Sequence, residues 1–341
     1  MSYQKGEIYF VRELDRKTGT HTEFVKIGLV RYKEGRDSFN RLLEHQTGNP
    51  RPLGLKRDEI VVTDAVDLVE AQMHRLFADQ RVSGEWFEFA NELEIQKAVA
   101  KARELKDEVE KLVPLFEKAE KLKNLESIEP MKAATEEDFA LALELAIAKD
   151  CVKVCDDFIN DIRQKLVAKV DAGGEVSDVA DTVVKTYKPR FLEADFRAAY
   201  PELWDKYLEE TKKWQNSFLN KVKVKEVASL GEYFTASIAQ ISETIGKFAS
   251  HDDALLLNEP QLALLKLKGE ASWNLAISEA KLKIRVGAAE GIEGVCTWKR
   301  YWNVGEAFNS EGFAAENPEL AQKFVSLPET KTYVQPKKNK A

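Results

Sequence analysis

Gly6-Glu7-Ile8-Tyr9-Phe10-Val11 and Thr22-Glu23-Phe24-Val25-Lys26-Ile27-Gly28-Leu29-Val30 are two β-prone runs separated by the turn-rich Asp15-Arg16-Lys17-Thr18-Gly19-Thr20. Branched and aromatic side chains suit a pleated, half-buried surface, and the polar Gly-containing stretch lets the chain reverse. The pair therefore predicts a β-hairpin. Next in the chain, Asp37 or Ser38 can cap a helix whose inner face is Phe39, Leu42, Leu43 and Gln46, and which Gly48 and Pro50 end. Glu59-Ile60-Val61-Val62 reads as a third strand, Val66, Val69, Met73, Leu76 and Phe77 line one face of a second helix, and Trp86-Phe87-Glu88-Phe89 closes the unit as another strand. Strand, strand, helix, strand, helix, strand is the order of a small α+β domain, assigned to residues 1–90.

After Phe89 the strand signals nearly vanish. Ile95, Ala98, Ala102, Leu105, Val109, Leu112, Phe116 and Ala119 recur at alternating steps of three and four on a charged segment containing Pro114. This predicts a kinked helical connector over residues 91–130, packed on its own chain or against a second copy. Farther on, Phe191, Phe196, Pro201, Glu202, Leu203, Lys206 and Tyr207 are matched by Phe308, Phe313, Pro318, Glu319, Leu320, Lys323 and Phe324, each 117 positions later and without a gap. Long amphipathic helical segments precede both copies, so two related helical modules are expected at 131–216 and 259–335, joined by a helical linker over 217–258 and followed by a basic tail at 336–341. Pro at the first helical position and Glu in the first turn explain much of the Pro-Glu-Leu step by folding alone. The expected architecture is α+β, a small mixed sheet with helices followed by a mainly α-helical region.

The 341 residues exceed one ordinary core, and at 44% hydrophobic and 32% charged the composition is that of a helix-rich globular protein. No apolar run approaches the length of a membrane span, and Met1 to Gly6 has no apolar core of a signal peptide, so a cytoplasmic protein with no membrane contact is expected. Cys151 and Cys155, four apart in an apolar helical stretch, read as buried structural thiols. A formal net charge of -7 argues against indiscriminate coating of nucleic acid and leaves room for local basic patches.

Phosphodiester cleavage needs a cation to take up charge on the phosphorane and a group that handles the proton of water. Arg41 and His45 lie four apart on the first predicted helix, Glu70 and His74 four apart on the second, and Tyr9 and Lys26 on the hairpin could face them. Together, Ile8-Tyr9-Phe10, Lys26-Ile27-Gly28, Arg41-Leu42, Gln46-Thr47-Gly48-Asn49-Pro50, Glu70 with His74 and Phe77, and Gly84-Glu85-Trp86-Phe87 resemble a GIY-YIG nuclease domain of the phage-associated branch, over about residues 5–90. That resemblance implies a single Mg²⁺ or Mn²⁺ held by Glu70, an Arg41 that stabilises the scissile phosphate, a Tyr9 hydroxyl that positions or deprotonates water, and a His45 that assists with the proton. Lys26, standing where the superfamily has its second tyrosine, can bind phosphate as a point charge. His74 is grouped with the substrate contacts.

Thr297-Trp298-Lys299 with Phe308, Phe313 and Asn317-Pro318-Glu319-Leu320 is similar to the carboxyl-terminal tail of lambda-exonuclease-like viral recombination exonucleases of the YqaJ type, and no second nuclease core accompanies it. The basic and aromatic run Trp298-Lys299-Arg300-Tyr301-Trp302 and the alternating Lys221, Lys223 and Lys225 are the candidate nucleic-acid contacts outside the first domain. The expectation is a DNA endonuclease targeted by its helical region. Its alternative is a non-catalytic DNA-binding or scaffold protein of a phage or mobile element, in which that region captures a protein partner or a second copy.

Overall fold

The computed structural model describes residues 3–32, 36–173, 180–224, 230–248 and 258–336. Strands β1 (Gly6–Leu14) and β2 (His21–Arg31) form the predicted hairpin, with Tyr9 opposite Gly28 and Phe10 opposite Ile27. At the reversal the Asp15 carboxylate accepts from the backbone N–H groups of Lys17 and Thr18, and Gly19 takes a φ of 68° that a side chain would resist. Helix α1 (Ser38–Gly48), capped by Asp37, is followed by β3 (Leu53–Gly54), β4 (Ile60–Thr63), α2 (Val66–Leu76), β5 (Arg81–Ser83) and β6 (Trp86–Glu88). The sheet runs β3-β1-β2-β6-β5 with β4 also on β1, and each of these pairings is antiparallel where a mixed sheet was expected.

Strand periodicity sorts the side chains. Ile8, Phe10, Val25, Ile27 and Phe87 pack with Val66, Val69 and Met73 of α2 on one face, whereas Tyr9, Val11, Val30 and Leu53 lie on the other with Leu42 of α1. The connector joins this unit. Helix α3 (Glu92–Lys123) runs on through Pro114, and its Ile95, Ala98, Val99, Ala102 and Val109 enter the α2 core. Its apolar seam is thus filled by its own chain. Fully buried Arg12 on β1 ties the helix start to the sheet, donating to Glu59 through Nε at 3.0 Å and pairing with Glu92.

The carboxyl-terminal unit corrects the expectation of helical modules. Helix α4 (Glu136–Asp171) leads to β7 (Ala180–Tyr187), the short helices α5 (Glu193–Ala199) and α6 (Pro201–Lys206), and the long strand β8 (Leu208–Asn220). Helix α7 (Glu232–Phe248) intervenes. Helix α8 (Asn258–Val286), the short β9 (Gly291–Ile292), β10 (Cys296–Phe308), α9 (Ser310–Glu316), α10 (Pro318–Gln322) and β11 (Glu329–Pro336) then repeat the series. Caps Leu192 (φ -91°, ψ 77°) and Asn309 (φ -80°, ψ 81°) have nearly the same backbone, as do Tyr200 (φ -138°, ψ 64°) and Asn317 (φ -132°, ψ 58°), each pair being 117 residues apart.

The copies are not separate modules. β8 pairs antiparallel with β10, and β7 with β11, so each copy's strands bond only to the other copy's over most of their length. Leu208 opposite Phe308 becomes Val325 opposite Phe191 when the copies are exchanged, and both bridges are present. The backbone N–H of Leu192 donates to the carbonyl of Phe324 at 2.7 Å, and its equivalent, Asn309 to Tyr207, measures 2.9 Å. A pseudo-twofold axis therefore crosses a two-stranded ribbon at its middle, where Phe191, Phe196, Phe308, Phe313 and Phe324 gather in one aromatic cluster. Much of this ribbon is wet on both faces, with Val184, Tyr187, Tyr301, Trp302 and Val304 exposed, which removes the alternating apolar pattern that signals a strand.

Residues 208–220, read from sequence as helix, are strand β8, and 221–224 have no regular structure. Trp298 and Arg300, taken as nucleic-acid contacts, are each 0% exposed. The Arg300 guanidinium donates to the carbonyls of Leu122 (2.6 Å), Gly287 (2.7 Å) and Ala289 (3.2 Å) and to Ser127 Oγ (3.2 Å), and lies 4.0 Å from the centre of the Trp298 ring. It satisfies backbone acceptors at the ends of α3 and α8, which no apolar residue can do. Arg300→Met should therefore lower stability by about 3 kcal/mol or more, since buried carbonyls lose charged donors. Urea denaturation measures this, and a variant within about 0.5 kcal/mol of the parent would refute the structural role.

Candidate active site

The amino-terminal sheet is incomplete at one point. β6 pairs with β2 only over Phe24 to Lys26, and at Ile27 its N–H bonds the carbonyl of Glu85 at 3.0 Å. The Ile27 carbonyl lacks a strand partner and takes a hydrogen bond from His74 Nε2 at 2.8 Å, which fixes the proton on that nitrogen. His74, also 5.3 Å from the Phe87 ring by centroids, is thus a residue that seats α2 against the sheet edge; the ring nitrogen engaged there is not free for substrate. One turn earlier on α2, Glu70 lies close enough to Glu85 and Lys26 for their charges to act on it.

Tyr9 reaches this region from β1. Its partner across the ladder must be glycine, because a Cβ built on Gly28 would lie 2.5 Å from the Tyr9 hydroxyl and 2.7 Å from its ring. The Ile-Gly step of the second motif thus has a steric cause. Tyr9 is 1% exposed, and its hydroxyl lies 3.0 Å from Nε2 of His45 on α1. Burial pushes the phenol up to about 12, against the opposing pull of Arg41. Burial lowers the His45 pKa, and the neighbouring Lys26 and Arg41 charges lower it further, so the imidazole is neutral at pH 7. Arg41 itself pairs with Glu44 one turn along α1.

Lys26 Nζ bonds Glu85 Oε2 at 2.5 Å. Desolvation pushes the Glu85 carboxyl up, but the hydrogen bond and charge of Lys26 outweigh it and hold the group below its ordinary value. Glu85 also acts on Tyr9, Glu70, His45 and His74, which places it at the electrostatic centre of the notch. In the sequence Glu85 stands only as part of the Gly84-Glu85-Trp86-Phe87 motif, and its one signal is its place in the turn directly before β6. Glu70 is different. It is half-buried, no hydrogen bond or salt bridge among the described residues reaches its carboxylate, and desolvation, then Glu85 and Asp67, push it up to about 7.

Tyr9, Lys26, Arg41, His45 and Glu70 thus meet in one place, with Glu85 among them. No cluster of three or more His, Cys, Asp or Glu side chains suited to a metal occurs among the described residues. The donor chemistry here fits a hard cation held by one carboxylate, since Mg²⁺ keeps several waters and takes one or two protein oxygens. The remaining candidates belong to the carboxyl-terminal unit. Lys299 is exposed and paired with Glu290 at 3.0 Å, Lys221 and Lys223 are exposed beyond β8, and Lys225 lies outside the described residues. Trp298 and Arg300 are core. No helix among the described residues is long and apolar enough to cross a membrane.

Comparison with protein-family models, curated proteins and solved structures finds no match to this chain. A carboxyl whose folded pKa, about 7, lies above its ordinary 4.5 penalises folding increasingly as pH rises between these values. Glu70→Gln should then stabilise the protein at pH 8 by of order 1 kcal/mol, after discounting for partial exposure, and change little at pH 4. Thermal midpoints at the two pH values test this, and a loss of stability at pH 8 would show that the Glu70 charge is compensated.

Proposed function

We propose that the amino-terminal domain is a metal-dependent nuclease of the GIY-YIG type that cleaves DNA phosphodiester bonds. The observation that supports it best is the convergence of a neutral imidazole, a hydroxyl, two cations and a desolvated carboxylate without a partner among the described residues on one sheet-edge notch. Glu70 would hold Mg²⁺ or Mn²⁺, whose charge stabilises the phosphorane. Arg41 and Lys26 supply the protein's own positive charge, Arg41 through a planar fork that suits two phosphate oxygens.

Tyr9 and His45 work as one unit. With its pKa at about 12 the buried hydroxyl stays protonated and is a poor base, whereas the half-buried imidazole is neutral and lies outward of it. In this reading His45 Nε2–H donates to the Tyr9 oxygen, which fixes ring and tautomer. Nδ1 then takes a proton from water as the oxygen attacks phosphorus. The bond to the leaving oxygen breaks, and that oxygen is protonated from solvent. Glu85 keeps Lys26 in place beside the phosphate.

Plasmid nicking by the full chain in Mg²⁺ or Mn²⁺ tests the assignment. Glu70→Ala and Arg41→Ala should each reduce the rate about 10²-fold or more. His45→Ala should cost more than Tyr9→Phe, and its acidic limb, which lies below pH 6.5 in the parent because the His45 pKa is lowered, should disappear. Nicking that persists in EDTA and in Glu70→Ala would reject the mechanism.

A further inference from the structure

The pseudo-twofold axis makes one end of the duplicated unit a control for the other. At the β8–β10 end the space beside α8 is filled by Trp298, whose Nε1 donates to Asn216 at 2.7 Å, and by Arg300 beneath it, with Lys283 5.3 Å from the Trp298 ring centre. At the β7–β11 end the positions equivalent to Trp298 and Arg300 are Asp181 and Val183. There the space between the carboxyl-terminal part of α4 and the ribbon is an open groove of about 650 Å³.

Two cations, Arg163 and Lys185, line the groove against one acid, Asp171. Arg163 Nε is buried and has no hydrogen-bond partner among the described residues. A guanidinium N–H removed from water without an acceptor leaves Arg163 short of a charged partner, and an anion in the groove beside it would supply one. Lys185 Nζ lies 5.6 Å from the centre of the Tyr333 ring, while Val167 and Val334 give the groove an apolar wall. Fixed positive charge beside an aromatic plane and an apolar wall is the chemistry of a nucleotide: a phosphate on the cations and a base on the ring.

We infer that this groove is a second nucleic-acid site, taking a nucleotide unit of a single strand with its phosphate on Arg163 and Lys185 and its base on Tyr333. This rests on the nuclease reading above and names the form of substrate held away from the cutting site. The volume admits one nucleotide unit and is too confined for a duplex.

Fluorescence anisotropy of a labelled oligothymidylate with the full chain, in low salt and EDTA, tests the site. Arg163→Gln with Lys185→Gln should weaken binding about ten-fold and make the salt dependence shallower. Ala168→Trp, on the exposed wall of α4, should block the groove with both cations intact. Unchanged affinity in both variants, with parental thermal midpoints, overturns the proposal. Displacement of the strand by thymidine monophosphate would overturn the strand in favour of a free nucleotide, whereas displacement only by unlabelled strand supports it. Strand binding that depends on Arg163 in a protein that never cuts would leave the groove standing and remove the nuclease reading; cutting with affinity insensitive to Arg163 would do the reverse.

Discussion

The ladder hydrogen bonds of the carboxyl-terminal ribbon run between the two copies of the repeat, and this governs what the rest of the chain can do. β7 and β8 come from one copy, β10 and β11 from the other, and neither pair can satisfy its backbone within its own copy. An isolated copy would present long open edges, which are costly and prone to wrong pairing. The aromatic cluster on the axis has the same property, because it draws Phe191 and Phe196 from one copy and Phe308 and Phe313 from the other. Two sequence repeats thus form one folding unit. The linker containing α7 crosses between them, and α4 and α8 pack side by side as the base on which the ribbon is held.

The two units of the chain are joined through packing as well as by the backbone. α3 belongs to the amino-terminal core, yet Phe116 near its end meets Trp273 of α8 at 5.5 Å between ring centres. Gly269 of α8 sits where a Cβ would come within 2.8 Å of Arg75 Cγ on α2. Arg300 adds the end of α3 to the ribbon core. A helix that seats Glu70 and His74 is therefore braced from behind by the duplicated unit, which gives the proposed site a rigid support.

The proposed chemistry depends on a local failure of regular structure. Because β6 leaves β2 after Lys26, the freed carbonyl of Ile27 takes a hydrogen bond from His74, which holds α2 at the edge with Glu70 within reach of the Glu85 and Lys26 charges. Desolvation of that carboxylate is costly without a cation and favourable to binding one. The same enclosure keeps Tyr9 protonated and His45 neutral, so their roles separate without any charge passing between them.

Much of the amino-terminal domain was legible in the residues. Hairpin, helices and closing strand follow from turn chemistry and apolar periodicity, and the spacing of Arg41 with His45 and of Glu70 with His74 indicated shared helix faces. The repeat was equally legible, since an ungapped offset survives whatever structure it encodes. Local sequence did not reveal that the repeated segments carry long strands, because a ribbon exposed on both faces has no alternating pattern. Nor did it distinguish Arg300, which is buried under backbone carbonyls, from Lys299 beside it, which faces water. Adjacent residues on a strand point to opposite faces, and only the packing of β10 against the ends of α3 and α8 decided which face was the interior. The central place of Glu85 was hidden for the same reason: its partners are distant in sequence, and the fold alone sets Lys26, His45, Glu70 and Tyr9 around it.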